Sequence, residues 1–277
     1  MKKIIFSNED LDNIKNLYFQ KISLKQIAES FNCSRGVISR VIKELDLPIR
    51  LPVKKYNCDD FIFQSITTEE QAYWLGFIAA DGCVYEYPDQ KRGSLIITLN
   101  KKDINQLEKF KIFMKTEAKI VFVDGEGYSK GKDQLCRITI NSIQIIRDLI
   151  NLGILPRKSL ILKPPKNIPS NLLLHFIRGY FDGDGTIYNQ NTNVVVGFCG
   201  TKEILEWIQT ILNTDLSYSK RYDDNKNNYS IRVGGTNKPF KMISQFYDNS
   251  TIYLDRKHAQ YLKLKERVVH SSNIMEY

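Results

Sequence analysis

The sequence predicts an α+β protein in which a small all-α domain precedes two copies of one larger α/β unit. Apolar residues in the N-terminal part recur only at helical spacing. The rest of the chain matches itself at an offset near one hundred residues, and each copy alternates helical with strand-like patterns. The length of 277 residues also favours about two domains.

Residues 1–47 are predicted to form a helix-turn-helix domain, with helical apolar spacing over 7–19 and 23–45. Ala28 is small enough for a close helix crossing, and Asn32 tolerates the left-handed backbone of a tight interhelical turn. The predicted N-caps are Ser7, Ser23 and Ser34. The last helix would offer a polar, basic face to a DNA major groove through Ser34, Arg35, Ser39, Arg40 and Lys43. The alternative is a three-helix bundle that binds another protein.

Residues 48–64 are predicted to be a linker, because Pro48 and Pro52 favour extended backbone. Beyond it, two repeats are expected over 65–163 and 164–277. Residues 72–85 align with 175–188 at an offset of 103. The identical pairs are Gly76/Gly179, Asp81/Asp184, Gly82/Gly185 and Tyr85/Tyr188. The order of elements implies two subdomains related by a pseudo-twofold axis, as in a fused dimer.

The predicted order within each repeat is helix, strand, strand, helix, strand, strand, helix. In the first repeat the helices are expected over 69–81, 103–114 and 142–151, with strands near 83–87, 94–100, 119–123 and 135–141. In the second repeat the helices are expected over 170–184, 201–212 and from 237, with strands near 186–190, 193–199, 217–222 and 229–233. Thr68 and Gln71 form a predicted capping box for the helix over 69–81.

The net charge of +9, from 40 Lys and Arg against 31 Asp and Glu, favours a polyanionic partner. Residues 1–50 hold nine basic and six acidic residues and so contribute +3, residues 51–60 balance, and the remaining +6 lies in 61–277. No apolar run approaches the ~20 residues of a membrane span, so no membrane partner is expected. Five scattered cysteines without a CxxC pair argue against a disulfide framework or a zinc site, and favour a reducing cytosol.

Small residues recur four apart in the helix that opens each repeat: Gly76 with Ala80, and Gly179 with Gly183. Glycine inside a helix costs about 1 kcal/mol relative to alanine, so its presence in both helices needs a reason. We expect the two helices to pack against each other at short distance through these residues. Their C-terminal ends would then meet on the pseudo-twofold axis.

Each of these helices ends in Asp-Gly, at Asp81 and Asp184. Gly82 and Gly185 are predicted to be left-handed C-caps. A carboxylate at a helix C-terminus is unfavourable, and two such groups across an axis need a counter-charge. A hard divalent cation such as Mg²⁺ supplies it and could support phosphodiester hydrolysis. The alternatives are ordinary Asp-Gly turns, or a calcium loop at 182–185, whose spacing does not match an EF-hand.

At these residues the sequence resembles the LAGLIDADG homing endonuclease family. Residues 74–82 (WLGFIAADG) and 177–185 (IRGYFDGDG) each align with the nine-residue motif, and the resemblance covers about 65–265. It implies a single-chain protein of two αββαββα repeats, with saddle-shaped antiparallel sheets over the DNA major groove. It also implies metal-dependent, sequence-specific cleavage of both strands of double-stranded DNA.

The resemblance implies roles for particular residues. Asp81 and Asp184 would bind Mg²⁺ or another divalent metal such as Mn²⁺, together with the backbone carbonyls of Ala80 and Gly183. Catalytic lysines beside the scissile phosphate would be Lys158 and Lys257, for which the alternative is a solvated surface lysine.

Two positions differ between the repeats. The motif aspartate present as Asp182 in the second repeat is Ala79 in the first, and the strand-end Asn100 corresponds to Gly200. Any polar group that positions water at this strand end would therefore be asymmetric or absent.

The side chains expected to face DNA from the sheets are Lys91, Arg92, Lys101, Arg137, Asn189, Gln190, Lys220, Arg221 and Arg232. The expected partner is double-stranded DNA with a long target site, bound by a monomer in the cytoplasm at the nucleoid, or in an organelle if an organelle intron encodes it. The chain ends lack intein splice-junction residues, so a free-standing or intron-encoded protein of a mobile element is expected. Two alternatives stay open, a non-cleaving DNA-binding transcriptional regulator and an intron-splicing maturase that binds RNA.

Overall fold

The computed structural model describes residues 4–48, 56–87, 91–124, 134–190, 193–220 and 226–274. The chain divides into two compact units, residues 1–52 and 53–277.

The N-terminal unit consists of helices α1 (Asn8–Phe19), α2 (Leu24–Ser30) and α3 (Arg35–Glu44). Ser7 and Ser23 form capping boxes with the residues three positions later. Ser34 stands at the N-cap of α3 with extended backbone, but its side chain does not cap that helix within the described residues. Asn32 adopts the left-handed conformation predicted for the turn, with φ of 47°. The apolar core of this unit is formed by Ile14, Tyr18, Ile27, Ala28, Ile38, Val41 and Ile42.

The large unit contains the two predicted copies of helix, two strands, helix, two strands and helix. The first copy comprises α4 (Glu69–Asp81), β1 (Gly82–Glu86), β2 (Gly93–Asn100), α5 (Ile104–Phe113), β3 (Val121–Asp124), β4 (Gln134–Asn141) and α6 (Ile143–Asn151). The second comprises α7 (Leu173–Asp184), β5 (Gly185–Gln190), β6 (Asn193–Gly200), α8 (Lys202–Leu212), β7 (Tyr218–Lys220), β8 (Tyr229–Gly234), α9 (Asn237–Tyr247) and α10 (Asp255–Ile274). The predicted fold class is therefore confirmed.

Each repeat forms one antiparallel sheet, in the orders β1-β2-β4-β3 and β5-β6-β8-β7. In the first sheet Leu95 pairs with Ile140 and Ile97 with Ile138, and all four side chains are buried. Residues that alternate with them along β2, such as Ile96 and Thr98, keep partial exposure on the opposite face. Each sheet thus has one face against the helices and one open face, as the two-residue side-chain period of strands requires. No described helix combines the length and apolar character that crossing a membrane requires.

Helices α4 and α7 pack backbone against backbone at the centre of the large unit. A Cβ atom at Gly76 would lie 2.9 Å from the Tyr180 amide nitrogen and closer still to the Phe176 carbonyl oxygen. A Cβ atom at Gly179 would lie 2.8 Å from the Phe77 amide nitrogen. Backbone atoms cannot retreat from such a contact as a flexible side chain can. This explains why both helices contain a central glycine despite its propensity cost.

Replacing Gly179 with alanine should therefore destabilise the large unit by about 3 kcal/mol or more, at the upper end of the range for overpacked cores. The measurement is the free energy of unfolding in urea. Gly234→Ala is the matched control, because a Cβ atom there would be 3.9 Å from its nearest neighbour, the Val194 carbonyl oxygen. Equal stability of the two variants would contradict the close packing of α4 and α7.

Candidate functional site

The packing of α4 against α7 brings the C-terminal ends of both helices together, and these helices end at Asp81 and Asp184. The glycines that follow were predicted to be left-handed C-caps, and this was wrong. Gly82 has φ of −74° and Gly185 has φ of −81°, because each residue starts a strand directly after its helix. Each is also crowded by its own helix: a Cβ atom at Gly82 would lie 2.7 Å from the Ile78 carbonyl oxygen.

Asp184 is close enough to Asp81 to affect its ionisation. Burial, and after it the negative charge of Asp184, raises the pKa of Asp81 to about 7, while Lys257 and Lys158 oppose this shift. A carboxylate with such a pKa is only partly ionised at neutral pH. A cation between the two helix ends would restore full ionisation, since an opposite charge favours the charged form.

Lys158 and Lys257 are both buried, at 8% and 2% exposure, so the alternative of solvated lysines is excluded. The Lys257 ammonium donates to the carbonyl oxygens of Gly185 (2.6 Å) and Gly183 (3.3 Å). The Lys158 ammonium donates to the Gly82 carbonyl and, at 3.4 Å, to the Ala80 carbonyl. The four acceptors occupy equivalent positions in the two repeats. Each lysine thus places a positive charge at the negative end of one motif helix.

Burial lowers the pKa of both lysines, that of Lys257 to about 8. The carboxylates of Asp81 and Asp184 oppose this effect at each of them. The site therefore contains two acids and two bases whose ionisation is coupled through a partly buried environment. Such coupling is typical of catalytic sites, although structural ion-pair networks show it too.

The site offers hard oxygen ligands to a metal ion. Among the described residues, no group of three or more His, Cys, Asp and Glu side chains is arranged to hold a metal. A cation would therefore be held by the carboxylates of Asp81 and Asp184 with backbone oxygens and water, a donor set that suits Mg²⁺. The Ala80 and Gly183 carbonyls are near the lysine ammonium groups, so they would share any role as metal ligands with those hydrogen bonds.

A cavity of about 190 Å³ opens beside Asp184 and Lys158 and reaches the end of β6. Its wall includes Tyr180, whose hydroxyl donates to the Cys199 carbonyl oxygen (2.8 Å), and Gly200. A Cβ atom at Gly200 would collide with that hydroxyl. In the first repeat the equivalent Asn100 accepts a hydrogen bond from the Lys102 amide (3.1 Å). The two strand ends therefore differ as predicted, because the Tyr180 hydroxyl leaves no room for a side chain at position 200.

A buried polar network that the sequence did not reveal lies behind the site. Arg178 is 1% exposed and donates to Glu69 (2.7 Å) and to the carbonyl oxygens of Ile252 (2.8 Å) and Phe246 (2.9 Å). Separately, the half-exposed Arg256 donates from its Nε to both carboxylate oxygens of the buried Asp103, at 3.0 and 2.9 Å, which joins the second repeat to the first. The sequence predicted no role for Arg178. The nearest available signal was a lone arginine in a motif helix.

The predicted DNA-facing residues of the sheets are placed as follows. Arg232 is exposed on β8, in register with Gly197 and Thr186, so it projects over a small-residue row. Arg137 is held by Thr98 through a 3.0 Å hydrogen bond, and Lys101 donates to Gln134 at 2.8 Å. Of the remaining residues predicted to face DNA from the sheets, Lys91, Arg92 and Lys220 are exposed. Arg221 and the side chains of Asn189 and Gln190 lie outside the described residues.

In the N-terminal unit the five side chains predicted to enter a major groove are all exposed. They lie at the start and along one side of α3, opposite the buried Ile38, Val41 and Ile42. The unit therefore presents a polar, basic surface on its third helix.

The raised pKa of Asp81 has a consequence for stability. A carboxyl group whose folded pKa is about 7, against an ordinary value of 3.8, binds more protons when folded. It therefore lowers stability as the pH rises through this interval. Asp81→Asn should gain stability over the wild type between pH 5 and pH 8, as measured by urea unfolding with a metal chelator present. Asp215→Asn, at an exposed position, is the matched control. A difference between Asp81→Asn and wild type that does not change with pH would contradict the coupled site.

Comparison with known proteins agrees with this architecture. Residues 171–274 match the sequence model of a family described as a LAGLIDADG-like domain. No curated protein matches the chain in sequence. The structure of I-SmaMI bound to uncleaved DNA target in the presence of calcium ions aligns with a TM-score of 0.50 and 15% identity. The alignment covers 75% of this chain and 92% of that one.

The I-LtrWI LAGLIDADG homing endonuclease bound to target DNA aligns with a TM-score of 0.48 and 16% identity, over 74% of this chain and 92% of that one. The likeness to I-SmaMI supports the fold, whose two repeats each carry one motif helix. Residues 171–274, which lie in the second repeat, thus match a LAGLIDADG-like domain, and the large unit shares the two-repeat fold of I-SmaMI that its paired motifs predict.

Proposed function

We propose that this protein is a metal-dependent, site-specific endonuclease of double-stranded DNA. The observation that carries the proposal is the meeting of Asp81 and Asp184 at one point, each helix end being held by a buried lysine. Two carboxylates on a pseudo-twofold axis match the symmetry of duplex DNA, whose two strands are related by dyads. The similar structures of I-SmaMI and I-LtrWI contain DNA, which supports the same partner here.

In this proposal Asp81 and Asp184 bind Mg²⁺ or Mn²⁺ through their carboxylates. When bound, the metal would lower the pKa of coordinated water and stabilise charge on phosphate oxygens. Lys158 and Lys257 hold the ends of the motif helices by donating to their carbonyls and place two positive charges beside the carboxylates. Those charges would stabilise the negative charge that develops on the phosphate during hydrolysis.

The sheets supply the surface for DNA. One face of each sheet is packed against helices, which leaves the other face to the solvent with its basic residues. Arg232, Lys220, Arg92 and Lys91 would contact phosphates or base edges, and such contacts set position and specificity respectively. Both motif helices belong to one chain, so the site can form in a monomer. An enzyme with this substrate works where the DNA is, in the cytoplasm at the nucleoid or in an organelle.

The N-terminal unit would extend the target. We propose residues 1–47 as a helix-turn-helix domain and 65–163 and 164–277 as the two repeats. Of the predicted linker 48–64, residues 56–64 pack on the large unit, where Phe63 is fully buried in the core, so they belong with the first repeat. The exposed groups of α3, Arg35, Ser39, Arg40 and Lys43 with the preceding Ser34, would enter a major groove.

The first test is cleavage itself. We expect the full-length protein with Mg²⁺ to linearise plasmids from a library of candidate sites, and Asp81→Asn and Asp184→Asn to lose cleavage by several orders of magnitude while still binding the site. The measurements are gel analysis of products and binding of labelled DNA. Lys241→Ala, on the exposed surface of α9, is the control for general effects of mutation. Binding without cleavage at any metal concentration would indicate a regulator, and tighter binding to structured RNA a maturase.

The second test concerns the N-terminal unit. Arg35→Ala combined with Arg40→Ala should weaken binding to the full target and reduce the slope of log affinity against log salt by about 1 per lost phosphate contact. The cleavage rate at saturating protein should be unchanged, because neither residue belongs to the metal site. If the double variant binds with wild-type affinity and salt dependence, as Lys241→Ala in α9 is expected to do, α3 does not bind DNA.

A further inference from the structure

Asp182 is a buried carboxylate that the proposed reaction does not use. It is 1% exposed and accepts three hydrogen bonds. The donors are the hydroxyls of Tyr73 (2.8 Å) and Tyr247 (2.5 Å) and the backbone amide of Leu254 (2.7 Å). They come from α4, from α9 and from the residue just before α10. A single side chain in the motif helix α7 therefore holds three other segments.

The bond to Leu254 fixes the start of α10 against the end of α7. The Leu254 carbonyl accepts from the Lys257 amide at 3.0 Å, so Leu254 and Lys257 belong to the same first turn. The Lys257 side chain then returns to α7 and donates to the carbonyls of Phe181 (2.5 Å) and Gly185 (2.6 Å). Asp182 lies between these acceptors in sequence. The Leu254 amide and the Lys257 side chain, at the start of α10, are thus both hydrogen-bonded to the C-terminal end of α7.

Among the described residues, the first repeat offers no side-chain acceptor at the position equivalent to Asp182. The position equivalent to Asp182 is Ala79, whose methyl group offers no hydrogen-bond acceptor. The equivalent lysine, Lys158, lies in a three-residue 3₁₀ turn, Lys158–Leu160, that follows a left-handed residue, Arg157 (φ 56°). Lys257 instead belongs to the first turn of the long helix Asp255–Ile274. The two lysines thus reach equivalent carbonyls from elements of different type and length.

We propose that Asp182 is a positioning residue that fixes Lys257 through the Leu254 amide, and that the two halves of the site therefore act on the two DNA strands with unequal dependence on this contact. The proposal rests on the nuclease function proposed above. By the pseudo-twofold arrangement, Lys257 serves one strand and Lys158 the other. Loss of the attachment should consequently slow one strand far more than the second, because small misplacements of a charged group near the reacting atoms are costly.

The test compares two substitutions at Asp182. Asp182→Ala reproduces the residue of the first repeat and removes the acceptor of the Leu254 amide. Asp182→Asn is the conservative variant: its amide oxygen can still accept from Leu254, while its amide nitrogen can donate to the Tyr247 hydroxyl. Two readouts are needed, hydrogen exchange of the 252–258 backbone in the absence of metal, and cleavage of a duplex with a different fluorophore on each strand.

We expect Asp182→Ala to slow one strand on the order of tenfold to hundredfold relative to the other, so that nicked DNA accumulates, and to speed exchange at 252–258 but not at 153–160. Asp182→Asn should keep the wild-type strand ratio. Tyr247→Phe removes another partner of Asp182 without touching the Leu254 contact, and should also keep it. Equal slowing of both strands by Asp182→Ala, or the same change of strand ratio in Tyr247→Phe, would overturn the proposal, because a general loss of stability acts on both strands.

If Asp182→Ala does not fold, hydrogen exchange of the wild-type protein still tests whether Asp182 fixes the backbone at Leu254. Leu155 lies three residues before Lys158, as Leu254 lies three residues before Lys257. The Leu254 amide should then exchange on the order of tenfold more slowly than the Leu155 amide, as one additional buried hydrogen bond implies. Equal exchange of the two amides would contradict the positioning role. If the wild-type protein cleaves no DNA, the nuclease function fails, whereas the exchange data still test the attachment of Lys257 by Asp182.

Discussion

The contact between α4 and α7 is the interaction on which the rest of the large unit depends. Gly76 and Gly179 allow the two backbones to touch, and no larger residue fits without moving carbonyl and amide groups. This contact sets the distance between the helix ends and so brings Asp81 near Asp184. Each sheet begins at the residue after its helix, so the position of both open faces follows from the same contact.

The two lysines balance the negative charge at the axis only in part, and a bound cation would complete the balance. Two carboxylates stand at the negative ends of two helices, where each is disfavoured by the dipole and by the other. Lys158 and Lys257 reduce this cost, but they are themselves buried and donate to the carbonyl oxygens of Gly82 and Gly185. The raised pKa of Asp81 shows that repulsion and burial outweigh the lysines. A divalent ion between the carboxylates would favour their ionised form. The same ion would therefore stabilise the folded protein and supply the proposed chemistry.

Much of the fold could be predicted because local patterns and long-range structure agree. The internal repeat predicted the same order of elements in both copies. The small residues at helical spacing in both motif helices indicated that the two helices contact each other. What could not be predicted depends on atoms far apart in sequence. The burial of Lys257 requires α10 to return to α7, and the Arg256–Asp103 pair joins positions 153 residues apart. Gly82 suited a left-handed cap in isolation, but the strand that starts there imposes an extended backbone.

The central claim is that Asp81 and Asp184 form one cation site, and binding of Mn²⁺ without DNA tests it most directly. Electron paramagnetic resonance of Mn²⁺ titrated into the wild-type protein, Asp81→Asn and Asp184→Asn would measure free and bound ion. The account predicts a bound ion in the wild type, and affinity reduced on the order of tenfold to hundredfold in either single variant because each removes one of two carboxylates. Mn²⁺ binding of equal strength in all three proteins would contradict it.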